Sequence, residues 1–333
     1  GGMALNGGGI IGSSTTTAWL SIVGIVLALL FTPPRGSELE GGRSLSYLST
    51  EQVESFQRDG YLVVPSFWDK KTVKLLRSEI ASIISSFDLE ESRTIFSTDE
   101  QSRHSNDYFL GSGDKIRFFW EEDAFDDDGN FRQKKEQSIN KIGHALHDLN
   151  SVFQNATYDT RVGEIARDLG LVKPLAVQSM YIFKQPRIGG KVGAHQDGAF
   201  LYTRPQSVLG FWWPLEDTSL ANGCLWAVPG SHKTTPVSRR FKRDGKGGTT
   251  FDPPGPPAEF DLTGAVPLEL KAGSLVLLHA QLVHYSLENR SPRSRHAYSV
   301  HAVDGAPGVA YPADNWLQTA AHFHELPPAV APG

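Results

Sequence analysis

Three side chains of the sequence could together hold a metal ion. His195 and Asp197 are separated by one residue, and in an extended segment such residues point to the same side. His284 is the candidate for a third ligand, contributed by another strand. Two imidazoles and one carboxylate on one face of a metal leave about three octahedral positions open, as in non-haem Fe(II) oxygenases. The alternative for each histidine is a hydrogen-bonded structural role, because a His-x-Asp triplet is common by chance.

Hydrogen-bond donors follow the third candidate ligand. Ser286 lies two residues after His284, and Arg295 lies eleven residues after it. An arginine in the next strand could hold a carboxylate through a bidentate fork. Arg290 and Arg293 lie in the same segment. Arg293 precedes Arg295 by two residues, so in an extended chain the two side chains could face the same side. The alternative is that all three arginines are surface charges near a turn.

Other histidines are predicted to be structural. His279 precedes His284 by five residues, so in one continuous strand it would face the other way. His232 follows a Pro-Gly turn. His144 and His147 are three residues apart on a predicted helix and could bind a metal as a pair, but no carboxylate stands at a suitable offset.

Composition restricts the class of protein. The chain has 333 residues, a formal net charge of -5 and a single cysteine, Cys224. The net charge argues against a nucleic-acid-binding protein, which needs a basic face to neutralise phosphates. One cysteine excludes an intrachain disulfide and a Cys-rich zinc module, and it fits a reducing compartment. We therefore expect a cytoplasmic protein.

The first 46 residues are predicted to be an extension, and residues 47–333 to be the catalytic domain. An apolar run over 18–31 has 14 residues, whereas a spanning helix needs about 20. Three interpretations remain open: a weak membrane anchor through 17–31, an atypical targeting segment, or an extension unrelated to the fold.

Helix signals occupy the first half of the remaining chain. Ser49 and Gln52 form a predicted capping box, and Gly60 ends that helix. Asp69 is predicted to cap a longer helix, and a third helix is predicted over 138–149.

Short β-type runs follow, separated by Gly, Pro and Asn-Gly turns. They are 175–183, 208–215, 224–228, 266–270, 274–278 and 298–303. Helices followed by strands of this kind predict a mainly β fold, a sandwich or jelly roll buttressed by helices. Residues 233–265 are predicted to be a long loop, either a lid or disordered. Its basic cluster is either a solvated surface or a contact for an anionic substrate.

Four stretches of the sequence carry a family resemblance. The sequence resembles the phytanoyl-CoA dioxygenase family of 2-oxoglutarate oxygenases over roughly residues 47–320. The resemblance lies in the stretches 107–119, 138–147, 177–186 and 222–232.

This resemblance implies a double-stranded β-helix core, a jelly roll of the cupin type, with Fe(II) and 2-oxoglutarate. It implies His195, Asp197 and His284 as iron ligands. It further implies a set of residues around the cosubstrate, namely Lys141, Met180, Trp213, Ser286 and Arg295. Arg295 and Ser286 would bind the remote carboxylate, and Met180 and Trp213 would exclude water. Lys141 could instead be a solvated lysine on a helix face.

The implied reaction couples oxidative decarboxylation of 2-oxoglutarate by O2 to hydroxylation of a substrate C–H bond, with ascorbate in support. Related halogenases lack the ligating carboxylate, so an intact Asp197 favours hydroxylation. The expected substrate is a small or acyl-type molecule that the sequence does not identify, and no nucleic-acid partner is expected. Two alternatives are a cupin-like enzyme with non-redox metal chemistry and a non-catalytic 2-oxoglutarate sensor.

Overall fold

The computed structural model describes residues 46–87, 95, 107–256, 258–320 and 322–328. The predicted extension, apart from Ser46, lies outside the described residues. Among the residues that are described, no helix is long and apolar enough to cross a membrane.

The described helices lie mostly in the first half of the chain, as the sequence predicts. They are α1 (Thr50–Asp59), α2 (Lys70–Ser86), α3 (Asp107–Leu110), α4 (Leu146–Leu149), α5 (Ser151–Thr157), α6 (Thr160–Asp168), α7 (Asp197–Phe200) and α8 (Ser231–Thr234). Single 3-10 turns occur at Glu122–Ala124, Lys135–Gln137 and Leu220–Asn222.

Eleven of the fourteen described strands lie in the second half of the chain. They are β1 (Tyr61–Val64), β2 (Ile116–Trp120), β3 (Ile139–His144), β4 (Pro174–Ile182), β5 (Val192–His195), β6 (Leu209–Pro214), β7 (Leu225–Ala227), β8 (Arg240–Arg243), β9 (Thr249–Asp252), β10 (Val266–Leu268), β11 (Leu275–His279), β12 (His284–Ser286), β13 (Ala297–Asp304) and β14 (His324–Glu325).

The first two helices begin where their caps predict. The Ser49 side chain accepts a hydrogen bond from Gln52 N, the Gln52 side chain accepts one from Ser49 N, and α1 ends at Gly60 with a φ of 80°. Asp69 accepts a hydrogen bond from Thr72 N at the start of α2. These predictions are confirmed.

Antiparallel strands build two sheets around a jelly-roll core. The larger sheet has the order β1-β11-β6-β13-β4-β3-β2, with β14 beside β4. The smaller sheet has the order β10-β7-β12-β5. Helices α2, α5 and α6 contribute buried apolar residues to the core cluster that covers one face of the larger sheet. The predicted mainly β fold with flanking helices is confirmed.

Two sequence predictions about elements are wrong. Residues 139–144 form strand β3, and only 146–149 are helical in α4. The apolar spacing of Ile139, Ile142 and Leu146 imitates a helix because β3 lies between β2 and β4 and is buried on both faces. The predicted loop 233–265 contains the end of α8 and the antiparallel hairpin of β8 and β9.

Candidate active site

The three candidate metal ligands converge at one end of the smaller sheet. His195 ends β5 and pairs across the ladder with His284, the first residue of β12. Asp197 begins α7 instead of continuing the strand, yet its Oδ1 lies 3.7 Å from His195 Nε2 and 3.6 Å from His284 Nε2. One ligand atom of each residue lies within 4.8 Å of the others.

The hydrogen bonds of both imidazoles leave a lone pair for a metal. His195 Nδ1 lies 2.8 Å from the carbonyl oxygen of Gly193, and His284 Nδ1 lies 3.1 Å from that of Leu282. A ring nitrogen that faces a carbonyl must donate, so Nδ1 carries the proton and Nε2 keeps its lone pair. Burial raises the pKa of Asp197, but the neighbouring histidines outweigh burial and hold it well below its usual range. Two lone pairs and an anionic carboxylate fit a divalent cation.

The second carboxylate oxygen of Asp197, Oδ2, lies close to residues of β13 and β6. His301 Nε2, on β13, lies 3.2 Å from Asp197 Oδ2. His301 is the cross-strand partner of Gly210 on β6. A Cβ atom at Gly210 would lie only 3.0 Å from Asp197 Oδ2, so the carboxylate needs a glycine beneath it. Neither His301 nor Gly210 was predicted to belong to the site.

A cavity of about 780 Å³ adjoins the candidate metal ligands and is lined by both sheets. Lys141 and Met180, both predicted to contact the cosubstrate, lie in its wall on neighbouring strands, with Lys141 Nζ 3.9 Å from Met180 Sδ. Lys141 belongs to β3, not to the predicted helix, and its ammonium lies 5.5 Å from the centroid of the Phe119 ring. The structure therefore brings these two residues into the cavity that contains the triad.

Ser286 and Arg295 line the same cavity. Both side chains are buried, Arg295 with 2% exposure. Arg295 Nε donates to the carbonyl of Gly223, and its guanidinium lies 5.3 Å from the centroid of the Trp212 ring. Burial lowers the pKa of Arg295 to about 10, which still leaves it positively charged at neutral pH. Within the described part of the chain, Arg295 makes no ion pair with a carboxylate.

Trp213 does not lie in the cavity, so its predicted contact with the cosubstrate is corrected. Neighbouring residues of β6 face opposite sides of the sheet. Trp213 faces the helices and stacks on Trp68 at 4.5 Å, whereas Trp212 faces the cavity. Trp212 is therefore the tryptophan that can wall a cosubstrate.

His144 and His147 do not share a helix, because His144 lies on β3 and His147 on α4. Each ring lies 2.8 Å from a serine hydroxyl, Ser112 for His144 and Ser179 for His147. Burial lowers the pKa of His147 to about 4. Both are therefore neutral structural histidines.

The aromatic side chains of the cavity lie on several elements. They include Phe109, Phe200, Phe241, Phe251 and Trp316. Phe241 and Phe251 come from the β8–β9 hairpin, and Phe200 ends α7, three residues after the candidate ligand Asp197. The segment predicted as a loop thus contributes an ordered apolar wall to the cavity.

Solved structures share this fold. EctD from S. alaskensis, crystallised with 2-oxoglutarate and 5-hydroxyectoine, aligns with a TM-score of 0.54 over 79% of each chain at 19% identity. The epimerase SnoN, in complex with Fe3+, alpha ketoglutarate and nogalamycin RO, aligns with a TM-score of 0.55 over 84% of this chain and 95% of SnoN at 18% identity. Both solved structures therefore share the jelly-roll fold of this chain.

Sequence comparison identifies the family. The family model for phytanoyl-CoA dioxygenase matches residues 56–297, and the chain belongs to that family. "Phytanoyl-CoA dioxygenase" of Arabidopsis thaliana is 48% identical, covering 82% of this chain and 94% of the relative. "Phytanoyl-CoA dioxygenase domain-containing protein 1" of Bos taurus is 47% identical, covering 82% and 96%. The protein is accordingly a 2-oxoglutarate-dependent dioxygenase.

Gly210→Ala is expected to weaken Fe(II) binding by roughly 10- to 100-fold, the usual effect of disturbing the surroundings of a metal ligand. The added methyl group forces Asp197 Oδ2 and the Leu278 side chain to move, because both lie within 3.2 Å of its position. Anaerobic Fe(II) titration measures the effect, and the melting temperature of the metal-free variant is the control for folding. Wild-type iron affinity in Gly210→Ala would show that the Asp197 carboxylate does not require a glycine at position 210.

Proposed function

We propose that the protein is an Fe(II)- and 2-oxoglutarate-dependent hydroxylase. The reaction consumes one C–H bond of an apolar small or acyl-type substrate, 2-oxoglutarate and O2. It yields the alcohol, succinate and CO2, with one oxygen atom of O2 in the alcohol and the other in succinate. Ascorbate would keep the iron reduced between turnovers.

The proposed iron ligands are His195, Asp197 and His284. When bound, the iron supplies the activation of O2 that the side chains cannot provide. The proposal is supported by the positions of the two Nε2 atoms, which lie 3.7 Å and 3.6 Å from the same oxygen of Asp197. Asp197 supplies the negative charge, and the carbonyls of Gly193 and Leu282 hold the rings in place.

The observation that carries the proposal is the buried charge of Arg295 in the same cavity as the triad. A buried cation is costly unless an anion pairs with it. Because Arg295 makes no ion pair with a described carboxylate, the far carboxylate of 2-oxoglutarate is the anion that fits. Ser286 would add a hydroxyl donor, and Lys141, Met180 and Trp212 would enclose the chain of the cosubstrate.

The aromatic wall supports an apolar substrate. Side chains from α7 and from the β8–β9 hairpin contribute apolar surface to the cavity. An apolar body that fills this space would displace water from the iron. That exclusion would protect the oxidant from solvent and bring the substrate C–H bond to the metal.

A screen for succinate release tests the function. Purified protein, Fe(II), ascorbate, 2-oxoglutarate and O2 are incubated with apolar candidate substrates, and succinate and hydroxylated product are measured by mass spectrometry with 18O2. The proposal expects one 18O atom in the alcohol. A non-redox metal enzyme would release no O2-dependent succinate, and a sensor would bind 2-oxoglutarate without turnover.

A protein that begins at Tyr47 is expected to fold and to turn over 2-oxoglutarate normally. The backbone amides of Tyr47 and Leu48 donate to the Asp168 carboxylate at 2.9 Å and 2.8 Å, and the truncation retains both bonds. Melting temperature and succinate release, compared with the full chain, check this expectation. Loss of either would contradict a separate role for residues 1–46, and membrane fractionation of the full chain would test the weak-anchor interpretation.

A further inference from the structure

A second buried cation, Lys184, lies directly behind the cosubstrate residues. It follows β4, has 2% exposure and does not line the cavity. Its ammonium donates to the carbonyl of Gly190 at 2.6 Å and to Ser286 Oγ at 2.9 Å. Lys184 therefore contacts the hydroxyl of a residue that lines the cavity.

The backbone of Lys184 is tied to the same group of residues. Its carbonyl accepts hydrogen bonds from the amide of Arg295 at 3.2 Å and from Asn289 Nδ2 at 2.9 Å. Its φ is 41°, a conformation that disfavours lysine and must be held by its surroundings. Gly223 makes room for the side chain, because a Cβ there would lie 2.8 Å from Lys184 Cε.

The charged groups around Lys184 lie too far away to form an ion pair with it. The groups that act on it are Arg295, Glu121, Glu288 and the Cys224 thiol. Glu121 is buried, and Glu288 lies at the surface. No carboxylate of the described residues lies at ion-pair distance from Lys184. Burial, together with the nearby positive charge of Arg295, lowers the pKa of Lys184 to about 7.

We propose that Lys184 is a positioning residue for 2-oxoglutarate, an inference that rests on the proposed function. A serine hydroxyl that accepts from an ammonium has its own proton free to donate. Lys184 thereby directs the Ser286 hydroxyl proton toward the far carboxylate, which Arg295 binds from its own side. Lys184 lies in the stretch 177–186 that carries the family resemblance, but no residue pattern there predicts this role.

This arrangement links cosubstrate binding to a proton. Before binding, a pKa of about 7 leaves Lys184 mostly neutral above neutral pH. The incoming carboxylate stabilises the ammonium and raises its pKa in the complex. The protein therefore takes up a proton on binding, and 2-oxoglutarate affinity falls as pH rises above about 7.

A double-mutant cycle tests the inference. Anaerobic calorimetry measures 2-oxoglutarate binding to the Fe(II)-loaded full chain, to Lys184→Met, to Ser286→Ala and to the double variant. Each single change is expected to weaken binding roughly tenfold. Because Lys184 acts through Ser286, adding Ser286→Ala to Lys184→Met is expected to cost less than about twofold more. The inference would be overturned if the losses of affinity in the two single variants multiplied in the double variant. Wild-type affinity in Lys184→Met would also overturn it.

The second measurement is proton uptake on binding. The value for the wild-type protein can be interpreted even if a variant fails to fold. Titrations at about pH 8 in two buffers of different ionisation enthalpy should show roughly one proton taken up by wild type and nearly none by Lys184→Met. Lys271→Met is the matched control, because Lys271 is a surface lysine paired with Asp217. No uptake by wild type, or equal uptake in Lys184→Met, would overturn the linkage.

The two proposals fail in different ways. Absence of 2-oxoglutarate binding by wild type would refute the proposed function, and the role of Lys184 with it. Normal binding that Arg295→Ala weakens and Lys184→Met leaves unchanged would refute only the role of Lys184.

Discussion

His284→Ala is expected to abolish 2-oxoglutarate turnover, a loss on the order of 1,000-fold or more, because activation of O2 depends on the metal. His195→Ala and Asp197→Ala should have the same effect. The fold should survive each change, because the main core packs helices against the larger sheet while the triad lies at the end of the smaller one. Succinate release measures turnover, and thermal melting of the metal-free variants measures folding.

Two other histidines serve as comparisons for the triad variants. His324→Ala should retain full turnover, because His324 is exposed and contacts Asp148, which is remote from the triad in the sequence and does not line the cavity. His279 would be the next ligand candidate if His284→Ala turned over normally. The structure argues against that outcome, because the His279 ring packs beside His232 at 4.9 Å and does not line the cavity.

Arg295→Ala is expected to weaken 2-oxoglutarate binding by about 100-fold. Hydrogen bonds to charged groups contribute roughly 1.5–3 kcal/mol, and the variant leaves the far carboxylate in a buried cavity without its cation. Arg295→Lys should also bind weakly, because an ammonium cannot reproduce the planar fork. Iron binding should persist in both variants, since no ligand changes. Anaerobic titrations of Fe(II) and of 2-oxoglutarate measure the two affinities separately.

Neighbouring arginines provide the matched control. Arg293 is exposed, and Arg290 is exposed and paired with Glu288, so Arg293→Ala and Arg290→Ala should bind 2-oxoglutarate like wild type. Loss of binding in Arg293→Ala, with normal binding in Arg295→Ala, would mean that the wrong arginine had been assigned. Wild-type affinity in all three variants would remove the main support for 2-oxoglutarate.

Capping residues in the sequence correctly predicted where the first two helices begin. The caps at Ser49 and Asp69 determine where α1 and α2 begin, because a side chain satisfies the free amides of the first turn. Strand β3 was missed because its burial comes from neighbours distant in sequence. A strand that is covered on both faces loses the alternation by which it would be recognised.

Residue types and spacing made the triad, Ser286 and Arg295 candidates for metal and carboxylate binding, and the family resemblance implied their roles. The structure brings all five to one cavity. Tertiary structure decided which neighbours join them. Trp212 and Trp213 are adjacent, and the sequence does not show which of them faces the cavity. In the structure Trp213 packs on Trp68, and Trp212 lines the cavity. Lys184 acquires its place through contacts with Ser286 and Arg295, more than 100 residues further along the chain. No local pattern encodes such contacts, because they arise only when distant strands are brought side by side.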